Sequence, residues 1–261
     1  MDIEARRHKS RKQKDVSCGP SIVWAEKATW SRNAEGSRLA KYRFAKRIIL
    51  PIMVGSIPND IFQFSTYAAL NAGFNQGQPR TADLTSHGTD GIGVYEDGSL
   101  MILKDRQAYT LTKDGKAKSA PMNARLPLAL VTVYQPTFRL KIGSMSLEAL
   151  DELVSSDDVG PAKGVNTLMP FKIAGRFDSI EFEDGPSRNA IDGTVFGFVV
   201  PAWMKAISGP RIHAHFLDAN EEAGGKVVDF TMAEEAVFSF AKCGRFHLGF
   251  PQGGEWEEMN L

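Results

Sequence analysis

Short apolar segments divided by Gly, Asp and Asn turns fill the sequence from Gly91 onward, and they restrict the fold more than any other feature. GIGVYEDGSLMIL reads as a hairpin turning at Asp97-Gly98, and QAYTLTKDGKAK as a second turning at Asp114-Gly115. Asp-Gly supplies the positive φ that a tight two-residue turn demands. LPLALVTVYQP (126–136) suits a buried strand. Five further strand signals follow, at 170–183, 194–201, 211–218, 225–232 and 236–251. Helical spacing is confined to three places. Residues 62–73 predict a helix closing on Gly73, Thr81 opens a short helix or turn that ends at His87-Gly88, and Ser146 caps a helix running to Val154. The expected class is α+β, with two sequential mixed or antiparallel sheets and a few helices. Three regions are expected: a basic arm over 1–60, an N-terminal α/β subdomain over 61–168, and a β-rich subdomain over 169–261 that carries the site.

Charge sets the arm apart. The 261 residues hold 31 Lys/Arg and 31 Asp/Glu. Residues 1–50 contain 13 of the basic and 5 of the acidic ones, leaving 18 against 26 in the remainder. A chain that cancels its charge in this way offers no broad basic face for a nucleic-acid backbone, so nucleic acid is not an expected partner. The most apolar early stretch, residues 48–57, is interrupted by Pro51 and Gly55 and falls well short of the roughly twenty residues that span a bilayer, so no membrane partner is expected either. Cys18 and Cys243 stand far apart in unlike contexts, which points to a reducing, cytoplasmic home. The arm itself reads as a solvated tail, with a docking arm as the alternative.

No phosphate-cradling glycine loop, paired CxxC or GxSxG is present. One spacing stands out. His213 and His215 are two apart on a predicted strand, so both rings project from one face, and Lys226 follows a Gly-Gly pair eleven residues later. A pair of imidazoles so placed can share a metal or simply form part of a polar surface. His87 is expected to serve the fold at its turn, and His247 to be a partly buried sheet residue.

Several segments together resemble the acetolactate decarboxylase family, zinc enzymes that convert 2-acetolactate to acetoin. They are FQFSTYAALNAG, TADLTSHGTDGIGVYEDGSL, YQP (134–136), KIAGRF (172–177), GFVVPAWMKAISGPRIHAHFLD (197–218) and AGGKVVDF (223–230), in the family's order and covering residues 61–261. The resemblance implies the family's fold and a small-molecule substrate, and a homodimer is compatible with it.

It also implies a zinc site made by three histidines, of which only His213 and His215 are present here; the third position is Lys226. Where the family has a glutamate in the DG-x-L hairpin this chain has Ser99, and where the family's arginine grips the substrate carboxylate it has Glu183. Glu257 or Glu258 falls where the family can place a further carboxylate, with Glu258 giving the better register. An ammonium cannot ligate zinc and repels a divalent cation. The expectation is therefore a site without a metal cofactor, in which Lys226, His213, His215 and Glu183 carry the chemistry and Ser99 and Glu258 bind substrate. Such a site would act on a small carbonyl compound by proton transfer, isomerisation or decarboxylation. Two alternatives stand beside it: a zinc-dependent acetolactate decarboxylase with the ion on His213, His215 and a carboxylate from Glu258 or Glu183, and a non-catalytic ligand-binding or scaffold homologue.

Overall fold

The structure is a computed structural model, and it describes residues 29–32, 38–41, 59–156, 164–232 and 235–261. The basic arm lies outside the described residues apart from an antiparallel ladder between β1 (Thr29–Arg32) and β2 (Arg38–Lys41) and its last two residues, Asn59 and Asp60, which open a strand of the first sheet. Cys18 is outside them too.

The strands form two seven-stranded sheets. The first comprises β3 (Asn59–Phe64), β4 (Asp90–Val94), β5 (Leu100–Lys104), β6 (Gln107–Leu111), β7 (Ala117–Ser119), β8 (Leu128–Thr132) and β16 (Cys243–Gly249), in the order β16-β3-β8-β4-β5-β6-β7. Every pairing in it is antiparallel except β16 with β3. The predicted hairpins fall in place, with Gly98 and Gly115 at φ 78° and 76° in their turns. The second sheet holds β9 (Phe138–Ile142), β10 (Met145–Ser146), β11 (Met169–Phe182), β12 (Arg188–Val199), β13 (Ile212–Asp218), β14 (Gly224–Met232) and β15 (Ala236–Phe240). Its order is β10-β14-β13-β12-β11-β15-β9, and a further β14–β11 pairing closes β11 to β14 into a ring of strands. Among the described residues five short α-helices accompany them: α1 (Tyr67–Asn71), α2 (Thr81–His87), α3 (Leu147–Ser155), α4 (Lys205–Ser208) and α5 (Gly254–Glu257).

Three expectations are corrected. Residues 62–64 belong to β3 and not to a helix, because their alternate side chains feed a sheet core; helix begins only at Tyr67, after Thr66 caps it by accepting from the Ala69 N–H. The apolar run 236–251 is two strands in different sheets, which takes β16 back to the first sheet while β9 and β10 enter the second. The chain thus exchanges strands across residue 168. His247 is exposed near the sheet edge, stacked 4.5 Å from Phe62 and 3.7 Å from Asp60.

Alternation along β11 to β13 explains how the sheets meet. Phe171, Ile173, Phe177, Val195, Ala214 and Phe216 point into a core with α3, whereas Phe196, Phe198 and Leu217 point the other way, against Ile92, Ile102, Leu128 and Leu130 of the first sheet. A strand buried on both faces has no solvent side, so polar residues on the inter-sheet face of β13 lie in the interior. His213 and His215 are those residues.

Candidate functional site

Strand pairing assembles the site. His215 on β13 pairs with Phe196 on β12 and with Lys226 on β14, and directly opposed residues share a face, so the three side chains stand in one row. The register of β14 against β11 shifts between Glu181 and Phe182. Pairing resumes with Phe182 opposite Val227, and just beyond it the Glu183 N–H donates to the Lys226 carbonyl at 3.0 Å. The Glu183 side chain then accepts from Lys226 Nζ at 2.7 Å.

The histidines are 3% and 1% exposed. His213 Nδ1 lies 2.9 Å from the Ser208 carbonyl and His215 Nδ1 2.7 Å from the Met101 carbonyl. A carbonyl only accepts, so each ring carries its proton on Nδ1 and presents Nε2 as a bare lone pair. His215 Nε2 is buried without a hydrogen-bond partner. Burial above all, with a smaller push from the nearby Lys226 ammonium, lowers the pKa of His213 to about 4 and that of His215 to about 3. Both rings are neutral at physiological pH. Tyr67 completes the cluster, edge-on to His213 at 5.6 Å and 6.0 Å from Lys226 Nζ.

Behind His213 stands a polar network that the sequence did not announce. Gln63, buried on β3, donates from Nε2 to the Ile207 and Ser65 carbonyls at 2.6 and 2.8 Å, and its Oε1 accepts from Ser208 Oγ at 2.7 Å. The turn so held offers the Ser208 carbonyl to His213. It continues into Gly209 at φ 110°, where a Cβ would sit 2.6 Å from His213 Nδ1. Only glycine meets both demands. The expectation of a helix over 62–73 hid Gln63, which would have been a surface position there.

The other expected site residues lie elsewhere. Ser99 spends its hydroxyl on Asp97 within the hairpin turn. Glu258 is exposed at the end of α5, which is anchored by Trp256 against Phe74 and Phe250, and it forms no ion pair or side-chain hydrogen bond among the described residues. His87 ends α2 and lies against Phe62, a role in the fold.

Whether these groups suit the zinc ion implied by the resemblance turns on the donor set. Two imidazoles with Nδ1 held by carbonyls are in the tautomer that metal-bound histidines adopt. The third position, however, is an ammonium already paired with Glu183. Among the described residues no three His, Cys, Asp or Glu side chains come together to hold an ion. Two ligands and a cation do not make a zinc site.

Two stacked seven-stranded sheets with two buried imidazoles, a lysine and a half-solvated carboxylate clustered where they meet define an α+β protein with a candidate site at that place. The alpha-acetolactate decarboxylase family model matches residues 61–189 and 183–261, and the chain belongs to that family. It is 27% identical over 229 residues to the alpha-acetolactate decarboxylase of Methylococcus capsulatus, a match covering 80% of this chain and 86% of the relative. The enzyme of the same name from Klebsiella aerogenes is 26% identical over 227 residues, covering 77% and 84%. In fold the chain matches the crystal structure of alpha-acetolactate decarboxylase from Bacillus subtilis strain 168 with a TM-score of 0.69 at 23% identity, covering 77% and 93%. A Staphylococcus aureus protein of unknown function similar to alpha-acetolactate decarboxylase gives 0.70 at 20% identity, covering 77% and 94%.

Proposed function

We propose that this chain is a family member whose site acts on a small carbonyl compound without a metal, the Lys226 ammonium standing in electrostatically for the ion. The observation that carries the reading is the placement of Lys226 opposite His215 with its ammonium held 2.7 Å from Glu183. A fixed cation beside bare imidazole nitrogens suits enolisation. The substrate carbonyl oxygen accepts from Lys226 Nζ. The neighbouring C–H bond breaks, its electron pair passes into the carbonyl to give an enolate oxygen beside the ammonium, and the proton moves to Nε2 of His215 or His213. The enolate takes the proton back at the same carbon, giving exchange or epimerisation. Where that carbon carries a hydroxyl, the hydroxyl proton passes to the enolate oxygen and the imidazolium proton goes to the former carbonyl carbon, giving the isomeric hydroxycarbonyl. In a β-keto acid the bond that breaks is instead the one to the carboxylate, and CO2 leaves. A ring whose pKa lies near 3 or 4 is a weak base, so the substrate proton must be acidified by the polarised carbonyl.

A second reading keeps the reaction for which the relatives are named, with zinc. The bare Nε2 of His215 favours it, since a buried lone pair without a partner is the end of a ligand that a metal completes. Metal analysis of the purified protein and an acetoin assay on 2-acetolactate decide between them. The metal-free reading expects no stoichiometric zinc and little or no acetoin, because Glu183 replaces the arginine that would grip the substrate carboxylate. About one zinc per chain surviving a mild chelator, with turnover on the order of 10 per second, would establish the second. A protein inert towards a panel of enolisable ketones, aldehydes and keto acids is a non-catalytic homologue.

A further inference from the structure

We infer that a second cleft, separate from the histidine site, binds a small organic monocarboxylate. The cleft, of about 540 Å3, opens between the two sheets, and its lining includes Asp90, Asp105, Arg106, Tyr134, Arg139 and Lys172 and none of His213, His215, Lys226 or Glu183. It is built from the same register that builds the site. Reading across β9, β15, β11, β12, β13 and β14, the paired residues Arg139, Ser239, Lys172, Phe196, His215 and Lys226 form one row on the inter-sheet face. At about 4.8 Å per strand, Lys172 stands about 10 Å from His215, with the Phe196 ring between them.

The floor of the cleft is a charged pair with no role in the site described above. Asp90, whose side chain is 3% exposed, lies 2.6 Å from Lys172 Nζ through Oδ1, a close contact whose angles do not make a regular hydrogen bond. Its Oδ2 accepts from Thr89 Oγ1 at 2.7 Å. Lys172 also lies over the Tyr134 ring at 5.3 Å, and the Tyr134 hydroxyl is tied to Ser239 Oγ at 2.8 Å. This floor is neutral and held in place from both sheets.

The rim is not neutral. Asp105 and Arg106 form the two central residues of the β5–β6 turn, both with positive φ, and Asp105 reaches no closer than 3.9 Å to Lys172. The Arg106 guanidinium donates to the Thr85 carbonyl, and among the described residues it meets no carboxylate and the Arg139 side chain forms no hydrogen bond or ion pair. Three cations against two carboxylates leave one positive charge, which a monoanion neutralises. Two guanidinium forks suit a planar carboxylate, and Pro136 with the exposed Val237 gives an apolar wall for its carbon body. The inference does not depend on which reaction the histidine site performs.

Calorimetric titration of the full chain with benzoate and its uncharged isostere benzamide tests it. Benzoate is expected to bind with a dissociation constant below about 10 mM and at least about tenfold more tightly than benzamide. Arg139→Gln, at an exposed position, is expected to weaken benzoate at least about tenfold, and Arg106→Gln to weaken it as well. Lys226→Met is expected to leave benzoate binding unchanged. No heat at 10 mM benzoate, equal affinity for benzamide, an unaltered Arg139→Gln titration, or loss of binding in Lys226→Met would each overturn the assignment, the last by moving the anion to the histidine site.

Discussion

Lys226 Nζ and Glu183 Oε2 lie 2.7 Å apart, yet the partners differ in exposure, 14% for the lysine side chain and 54% for the glutamate. The pair is therefore a half-solvated one, with the cation inside and the anion at the opening. Water screens the carboxylate, so the interaction is worth far less than a fully buried pair.

That asymmetry sets the outcome of breaking it. Lys226→Met leaves Glu183 free to turn into solvent, so a stability loss of at most about 1 kcal/mol is expected in urea denaturation, while activity on the enolisable substrate is lost. Glu183→Gln keeps the fold and leaves the Lys226 ammonium less firmly placed, and a fall in kcat with a near-constant KM is the expected signature. Full activity in Lys226→Met would remove the lysine from the mechanism.

Replacing the lysine with a ligand gives a complementary test. Lys226→His restores the third imidazole at a position already paired with His215, and the variant is expected to take up about one zinc per chain while the parent takes up none. Equal zinc content in both proteins would contradict the metal-free reading.

The network behind His213 predicts a large effect from a residue outside the polar cluster. Gln63→Leu leaves the Ile207 carbonyl and the Ser208 hydroxyl without their buried partner, for an expected loss of roughly 2–4 kcal/mol. Gly209→Ala combines a strained φ with a Cβ pressed on His213 and is expected to be worse for activity than for folding. Chemical denaturation followed by kinetics separates the two effects, and an unaltered Gln63→Leu protein would mean that the network is dispensable.

Acid should destabilise the protein before most carboxylates titrate. Both histidines have folded pKa values, about 4 and about 3, below the unfolded value of about 6.5. Between these limits the unfolded chain binds protons that the folded chain does not, so the contribution is complete above pH 6.5 and is lost progressively as pH falls toward 4 and below. The combined loss is on the order of several kcal/mol. Denaturation midpoints measured from pH 7.5 down to 4.5 should fall for the parent and less steeply for His215→Asn; parallel curves would show that His215 is not held neutral.

The sequence by itself determined the parts of the protein that are local. Asp97-Gly98 and Asp114-Gly115 declared their hairpins, Ser146 its helix cap, and the two-residue spacing of His213 and His215 put their rings on one face, because turn geometry, capping and strand period act over a few residues. The resemblance implies Lys226 at the position of the family's third histidine. Tertiary structure decided the rest. Residues 62–64 became a strand because β8 and, from the far end of the chain, β16 were there to pair with them, overriding helical spacing, and the strand expected over 236–251 divided so that 243–249 joined the first sheet. Met101 orients His215 from 114 residues away, and Gln63 holds Ser208, which orients His213, across a separation of 145 residues. The half-solvated state of the Lys226–Glu183 pair, and the cleft where Asp90 meets Lys172, depend on how two sheets stack. No periodicity encodes that, since the contacts join segments whose only common property is the face they share.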